Sequence, residues 1–380
     1  MHIKETPTRP PFSGAENHLW VLLPELRAAG LRVEFGILLQ QSGPVTRDKI
    51  AELQAAGIEV HCFPYRRLID LACMARVRAY LASRRAHIVH THMDRADIIG
   101  KVAARLAGCR HVVSSVHNNE QYHLRLKWLA LLRVLDRLTT RHIAISEAVR
   151  RHLIELEHVA SAKVTVIPYG VYPPPVVGDR TAIRQRLGIP NDRFVVGFVG
   201  RLVEQKNVPV LIRAMAQLPD ALCVIIGRGA QRRTLEEQAS AVGNVRFLRH
   251  QPDASALMPA FDVLCLPSRW EGLGLVLVEA MFQRVPVVGS RAGAIPEVLG
   301  HGKYGLLFDP DNVAELVAAL TAVRESGGVL AEPAYGFARE RFAVHKMIER
   351  TLAVYAQAAA SDQQRVPALT GRFDATPTKV

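Results

Sequence analysis

The chain has 380 residues, enough for two or three domains that each bury a core, and its 49% hydrophobic and 22% charged residues are ordinary for a globular protein. Lysine and arginine number 48 against 35 acidic residues, a net charge of +13 that fits nucleic acid, an anionic membrane surface, anionic substrates or a basic solvated surface. No apolar run is long enough to read as a membrane span, the opening MHIKETPTRP lacks the apolar core of a secretory signal, and five cysteines without zinc or redox spacing suit reduced thiols in a cytoplasm.

A first strand is expected over 1–5, before Pro7, Pro10 and Pro11; its brevity leaves open whether Met1 is the true start. Ser13-Gly14-Ala15-Glu16 then precedes a helix over 17–29, with Leu19, Leu22, Leu23 and Leu26 on one face and Gly30 as its stop. Strands over 31–39, 59–63, 88–92 and 111–116 alternate with helices over 47–56, 70–83 and 97–107, the rhythm of βα units in a doubly wound parallel sheet. His90 and His92 share a face of their strand and have no third ligand nearby, so they read as a strand end and not as a metal pair. His117 follows the next strand at its carboxyl end, where ligands bind in such sheets; a capping or core histidine is the other reading. Residues 120–141 read as one long amphipathic segment, with Leu126, Leu129, Val134 and Leu138 on a face and Arg125, Lys127, Arg133, Arg137 and Arg141 elsewhere. It lies on anionic lipid or packs on its own domain, and its narrow stripe favours packing. Strand 143–146, helix 147–156 and strand 164–168 complete the first half, and Pro173-Pro174-Pro175 with Gly178 forms a linker.

The second half repeats the pattern with helix 181–187 and strand 194–199, after which Arg201 and Lys206 straddle a loop. Two cations there would neutralise a diphosphate; a pair of solvated surface charges is the alternative. Strand 221–226 leads into Gly227-Arg228-Gly229, a weak signal alone, and strand 245–248 precedes His250 and Gln251. The most informative stretch is 261–297: a buried strand over 263–266, a Glu271-Gly272-Leu273-Gly274 loop, a helix over 274–283 and a strand over 285–288. The N–H groups of Gly272, Leu273, Gly274 and Leu275 have no intrahelical acceptor and can cradle phosphate, while Glu271 and Glu279 offer carboxylates to sugar hydroxyls. Such a loop suits a sugar nucleotide. Asp309-Pro310-Asp311 mimics a metal-binding DxD, but it follows strand 305–308 and opens helix 313–324, where aspartate is a natural cap; neither metal nor cofactor is expected. A last helix over 336–356 and a polar tail over 361–380, expected to be disordered, end the chain.

Glu271 and Glu279 within EGLGLVLVEAM, followed by GAIPEVL, resemble the signature of retaining glycosyltransferases of family 4. The resemblance covers about residues 12–356. It implies an α/β GT-B fold: two Rossmann-like, doubly wound parallel-sheet domains facing across a cleft. The expected division is an acceptor-side domain over 1–172, a linker and first helix over 173–190, a nucleotide-sugar domain over 191–340, a helix crossing back over 341–360, and the tail. The resemblance makes Gly14 the glycine of a loop facing the donor phosphates, with Ser13 in place of a second glycine; a plain strand–helix turn is the other reading of that loop. It places His117 beside the donor sugar and leaving phosphate. It sets Arg201, Lys206 and the Gly272–Leu275 amides on the diphosphate, Glu279 on the ribose and Glu271 on the sugar hydroxyls. Asn207 replaces a common glycine, Tyr169 a frequent asparagine, and Arg228 a usual acidic residue, which puts base or ribose contacts at Arg228 in doubt. The implied reaction moves a sugar from a nucleotide-sugar donor, UDP favoured over GDP, to the hydroxyl of a sugar or lipid-linked acceptor, with retention. The implied setting is envelope polysaccharide or glycolipid assembly in the cytoplasm, at the inner face of the membrane, with 120–141 as the contact to anionic lipid. The alternatives are a sugar-nucleotide epimerase or phosphorylase of the same fold, or a basic nucleic-acid-binding protein. The last lacks any helix-turn-helix, zinc or aromatic-ladder signature, and no nucleic-acid partner is expected.

Overall fold

The computed structural model describes residues 1–5, 14–40, 44–118, 123, 125–175, 178–249, 251, 254–326 and 328–360. Pro7, Pro10, Pro11, Ser13, His250, the start of the amphipathic segment at 120–122 and the tail from 361 lie outside the described residues. The first half runs β1 (His2–Glu5), α1 (Gly14–Ala28), β2 (Glu34–Leu39), α2 (Pro44–Ala55), β3 (Glu59–Pro64), α3 (Leu71–Arg84) and β4 (Ile88–His92). It continues through α4 (Asp94–Ala96), α5 (Val102–Leu106), β5 (His111–Val116), α6 (Leu126–Arg137), β6 (Arg141–Ala144), α7 (Glu147–Arg151) and β7 (Val164–Val166). The second half holds α8 (Arg180–Leu187), β8 (Phe194–Val199), α9 (Val208–Met215), β9 (Ala221–Ile226), α10 (Arg232–Ser240), β10 (Val245–Leu248) and β11 (Val263–Leu266). It ends with α11 (Leu275–Phe282), β12 (Val287–Ser290), α12 (Ile295–Val298), β13 (Leu306–Phe308), α13 (Val313–Ser326), α14 (Ala331–Arg341) and α15 (Val344–Ala360).

These strands form two parallel sheets, a seven-stranded one in the order β3-β2-β1-β4-β5-β6-β7 and a six-stranded one in the order β10-β9-β8-β11-β12-β13. Their apolar strands are covered by helices on both faces, as all-parallel sheets require. The order reverses between β1 and β4 in the first sheet and between β8 and β11 in the second. At each reversal neighbouring loops leave in opposite directions and open a crevice at the carboxyl ends of the strands. Both domains therefore present a crevice, and the two crevices face each other. No helix among the described residues is long and apolar enough to cross a membrane.

Several elements depart from the sequence expectation for local reasons. The predicted 120–141 helix is α6 alone, 12 residues long; its end comes where the Thr140 amide donates to the Val112 carbonyl and draws the chain into the sheet, so Arg141 opens β6. Its expected packing face is also rotated, because Leu126 and Val134 are exposed and Leu135 is the buried residue. The expected helices over 97–107 and 147–156 each contain a π-helical turn, over Asp97–Lys101 and His152–Leu156. Strand β12 starts two residues later than expected, since the Val285 amide still closes α11 on the Ala280 carbonyl. Asn312, and not an aspartate, caps α13: its side chain accepts from the Glu315 amide at 3.1 Å while Glu315 accepts from the Asn312 side chain. The single last helix is two, α14 and α15, broken at the domain crossing. There the Val171 amide donates to the Phe342 carbonyl, and a Cβ on Gly170 would sit 2.6 Å from the Val344 Cα. Beyond that break, Met347, Ile348, Val354 and Tyr355 of α15 pack with Leu19, Leu22 and Leu26 of α1, so the chain's last helix belongs to the first domain's core.

Candidate active site

Every residue that the sequence places at the donor site borders one cavity of about 400 Å³ between the domains: Gly14 and His117 on one side, Arg201, Lys206, Glu271, Gly272, Leu273, Gly274, Leu275 and Glu279 on the other. The second-domain wall is two interlocked loops. After β11 the chain passes through Ser268 to Glu271 and turns into α11 at Gly274, whose φ of 84° is a left-handed conformation suited to glycine. The Glu271 carboxylate is buried, accepts from the Ser268 hydroxyl at 2.8 Å, and forms an ion pair with Lys206. Lys206 comes from the loop after β8. That loop reverses at Asn207 with φ of 46°, a left-handed position that asparagine tolerates better than most residues, which is how the common glycine is replaced here. Arg201 donates to the Gln205 side-chain oxygen at 2.9 Å, and Gln205 in turn donates to the Trp270 carbonyl at 3.0 Å. The cations and the glycine loop are thus held to one another before any ligand arrives. The amides from Gly272 to Leu275, at the start of α11, have no helical acceptors of their own.

Glu279 stands one turn further along α11. Burial raises its carboxyl from the usual 4.5 to about 7, so near neutral pH it is poised between acid and carboxylate. Arg228 lines the same cavity, and its Nε and Nη2 meet no hydrogen-bond partner among the described residues.

The first-domain wall is different in kind. His117, next after β5, is nine-tenths buried; its Nδ1 lies 2.5 Å from the Tyr169 hydroxyl and its Nε2 3.1 Å from His92 Nδ1. Its imidazole is therefore fully engaged inside the domain, and its carbonyl is the part that meets the opposite loop, where a Cβ on Gly272 would overlap it. The domains touch around this point. The Ser146 hydroxyl donates to the Gly272 carbonyl at 2.7 Å, the Glu147 amide donates to Glu297 at 2.8 Å, and a Cβ on Gly14 would come 2.9 Å from the Leu275 side chain.

One expectation needs correction. His90 and His92 do have a third histidine nearby, because β1 pairs with β4 so that His2 lies opposite His90, with one ligand atom from each of the three within 4.8 Å. A second such group joins His123, His152 and Glu157. There burial opposes a charge on His123, but hydrogen bonds to Asp94 and Glu157 outweigh it and raise the imidazole to about 10. Sequence reasoning also missed Ser268, Gln205 and Ser146. Gln205 is adjacent to Lys206 and could have been found by reading the loop as a unit; Ser146 acts across the cleft, and no local pattern marks it.

The site can grip a pyrophosphate between two cations and a row of amides and offer carboxylates to hydroxyls. Residues 12–173 match the family model described as "Glycosyltransferase Family 4", and residues 179–334 the one described as "Glycosyl transferases group 1". The chain is 30% identical over 324 residues to a "Phosphatidyl-myo-inositol mannosyltransferase" of Mycobacterium leprae, covering 82% of this chain and 83% of the relative. It is 27% identical over 313 residues to the Escherichia coli "UDP-Gal:alpha-D-GlcNAc-diphosphoundecaprenol alpha-1,3-galactosyltransferase", covering 77% of this chain and 80% of the relative. Among solved structures, Anabaena HepE in complex with UDP-glucose superposes with a TM-score of 0.81 at 26% identity, over 94% of this chain and 100% of that one.

Proposed function

Because this chain belongs to the glycosyltransferases of family 4, with the GT-B fold, we propose that it transfers a hexose from a UDP-sugar, with retention, to a hydroxyl of a lipid-linked acceptor in glycolipid or polysaccharide biosynthesis. The observation that carries the reading is the convergence of Arg201, Lys206 and the Gly272–Leu275 loop in one cleft, opposite His117. In this reading Arg201, Lys206 and the loop amides hold the diphosphate. Lys206 has three N–H donors, so it keeps Glu271 in place while a phosphate oxygen takes a second donor. Glu271 is left with lone pairs for the sugar hydroxyls, and Glu279 takes the ribose. Gly14 faces the phosphates from the other side, with the Leu275 contact setting how closely the walls approach.

The barrier is departure of the nucleoside diphosphate from the anomeric carbon, and donors aimed at the charge growing on that leaving group lower it most. Among the residues that line the cavity the acids are Glu271 and Glu279, both on the second domain, and Glu271 is already held by Lys206 and Ser268. That distribution favours transfer on the same face, with the leaving phosphate taking the acceptor's proton, over a covalent intermediate on a first-domain carboxylate. The two cations and the amides supply the charge compensation that a divalent ion supplies elsewhere, so turnover is expected to survive EDTA.

UDP is favoured over GDP because the E. coli relative and the HepE complex are both named with uridine nucleotides. The lipid-linked acceptor is supported by two relatives named for lipid-bearing acceptors and by α6. Leu126, Ala130 and Val134 form an exposed stripe at four-residue spacing on that helix, between exposed Lys127, Arg133 and Arg137, the composition of a surface that rests on anionic lipid. All five cysteines are unpaired, which suits the reducing, cytoplasmic side of such a membrane. A thermal-shift panel of UDP-, GDP- and ADP-sugars tests the donor, since a ligand bound by the folded state alone raises its stability; a protein that none of them stabilises is not this enzyme. The anomeric configuration of the product, read by NMR, tests retention.

A further inference from the structure

His117 belongs to a continuous hydrogen-bonded chain that runs through the core of the first domain. From the cleft inward it passes from the Tyr169 hydroxyl to His117 Nδ1 (2.5 Å), and from His117 Nε2 to His92 Nδ1 (3.1 Å). His92 Nε2 meets His2 Nδ1 (3.1 Å), and His2 Nε2 meets the Tyr355 hydroxyl (3.1 Å). Tyr355 meets His90 Nδ1 (2.7 Å), and His90 Nε2 meets the Ser115 hydroxyl (2.8 Å). The strand register builds it: His2 lies opposite His90 and Ser115 opposite His92, with His92 two residues beyond His90 and His117 two beyond Ser115, so all share one face of the sheet. Helix α15 lays Tyr355 across that face. All of these residues are at least nine-tenths buried.

Burial holds the imidazoles of His2, His90, His92 and His117 well below their ordinary range, so each is neutral and carries a single N–H. A neutral imidazole donates at one nitrogen and accepts at the other. Each link then dictates the direction of the next, and the chain has only two states, one the reverse of the other. The cleft end chooses between them. Among the described residues the buried Tyr169 hydroxyl has His117 Nδ1 as its hydrogen-bond acceptor, so its proton points there or goes unsatisfied at a cost. The Ser115 hydroxyl at the other end borders a second, small cavity of about 50 Å³, which His117 also lines, and accepts from His90 Nε2. Every histidine in the chain is then the Nε2–H tautomer.

We propose that His92, His2 and Tyr355 are positioning residues that present His117 to the cleft in one tautomer, with Nδ1 as a hydrogen-bond acceptor for a hydroxyl of the donor sugar. Tyr169 holds that lone pair until the sugar replaces it. Because Tyr355 sits on the helix that crosses back from the second domain, the state of His117 depends on how that helix is docked. This inference rests on the reading that a sugar nucleotide fills the cleft.

The test is 15N NMR of the histidine rings in the full chain, with the His117 signals assigned by their loss in His117→Gln. A pyridine-type Nδ1 and pyrrole-type Nε2 at His117 are expected. Tyr355→Phe removes one oxygen and two links at once. It should mix the His117 tautomers and lower kcat by about tenfold, the worth of one hydrogen bond, with the donor KM little changed. An Nδ1–H tautomer at His117 in the unaltered protein overturns the proposal whether or not the variant folds. So does a Tyr355→Phe protein with unaltered His117 signals and kcat. The tautomer measurement needs no turnover, so a failure of the transferase reading would leave its result standing and be seen separately.

Discussion

The two walls of the cleft solve different problems. The second-domain wall gathers Arg201, Lys206, Glu271 and Glu279 from loops after β8 and β11 and from α11, and most of its contacts lie within two short stretches of chain. The first-domain wall puts His2, His92, His117, Tyr169 and Tyr355 in register from positions as far as 353 residues apart. Charge that must meet a ligand is best carried on loops at the open end of a sheet, where it stays partly solvated until the ligand comes. A neutral imidazole that must keep one orientation is best held inside the sheet, where each nitrogen has one partner and water cannot compete. The second-domain wall carries the charge, and the first-domain wall fixes orientation by exclusion of alternatives.

Four perturbations break or sharpen that contrast. Lys206→Ala acts on the charged wall and should lower turnover by on the order of 100-fold, as loss of one donor to a developing oxyanion does; single-turnover kinetics at saturating donor would show it, and turnover like that of the unaltered protein would remove Lys206 from the mechanism. Gly272→Ala acts where the walls meet. Its methyl would overlap the His117 carbonyl, so the domains must part, and kcat/KM should fall by roughly tenfold through misalignment while the melting temperature stays close to normal.

Glu279→Gln separates charge from shape. In the folded protein the Glu279 carboxyl titrates at about 7 instead of 4.5. The folded state therefore binds the proton more tightly, and the stability this group contributes is greatest below 4.5 and lost as pH rises to 7. The glutamine variant should be the more stable of the two at pH 8, with the gap closing towards pH 5 in thermal melts. Ribose hydroxyls prefer the carboxylate, so donor affinity of the unaltered enzyme should weaken by roughly threefold from pH 8 to pH 6 and that of the variant should stay flat. The smallest effect is expected outside the cleft. Leu126→Asp together with Val134→Asp should weaken binding to vesicles rich in anionic lipid by several-fold and leave transfer to a water-soluble acceptor unchanged; vesicle binding equal to that of the unaltered protein would assign α6 no role at the membrane.

The alternation of apolar runs with helical periods was enough to read both sheets as parallel and doubly wound, because burial on both faces leaves a near-continuous apolar strand. The Glu271–Glu279 stretch was legible for a related reason: its strand, glycine turn and helix are contiguous, so the geometry of the turn follows from local conformation. Errors fell where distant parts of the chain decide. The helix over 120–141 ends early because Thr140 pairs with Val112 of the preceding strand, β5. The last helix broke because Phe342 bonds to Val171 at the domain crossing. His90 and His92 were denied a third histidine because His2 approaches only through strand pairing.

The amino-acid sequence by itself determined the fold class, the family and the charged half of the cleft, since each of these follows from hydrophobic period, glycine placement and charge within a few tens of residues. Only the tertiary structure decided that Lys206 rests on Glu271, that Gly272 closes on the His117 carbonyl, and that a line of neutral histidines ties His117 to Tyr355. Those contacts depend on strand register and domain docking, which join residues that no local spacing relates.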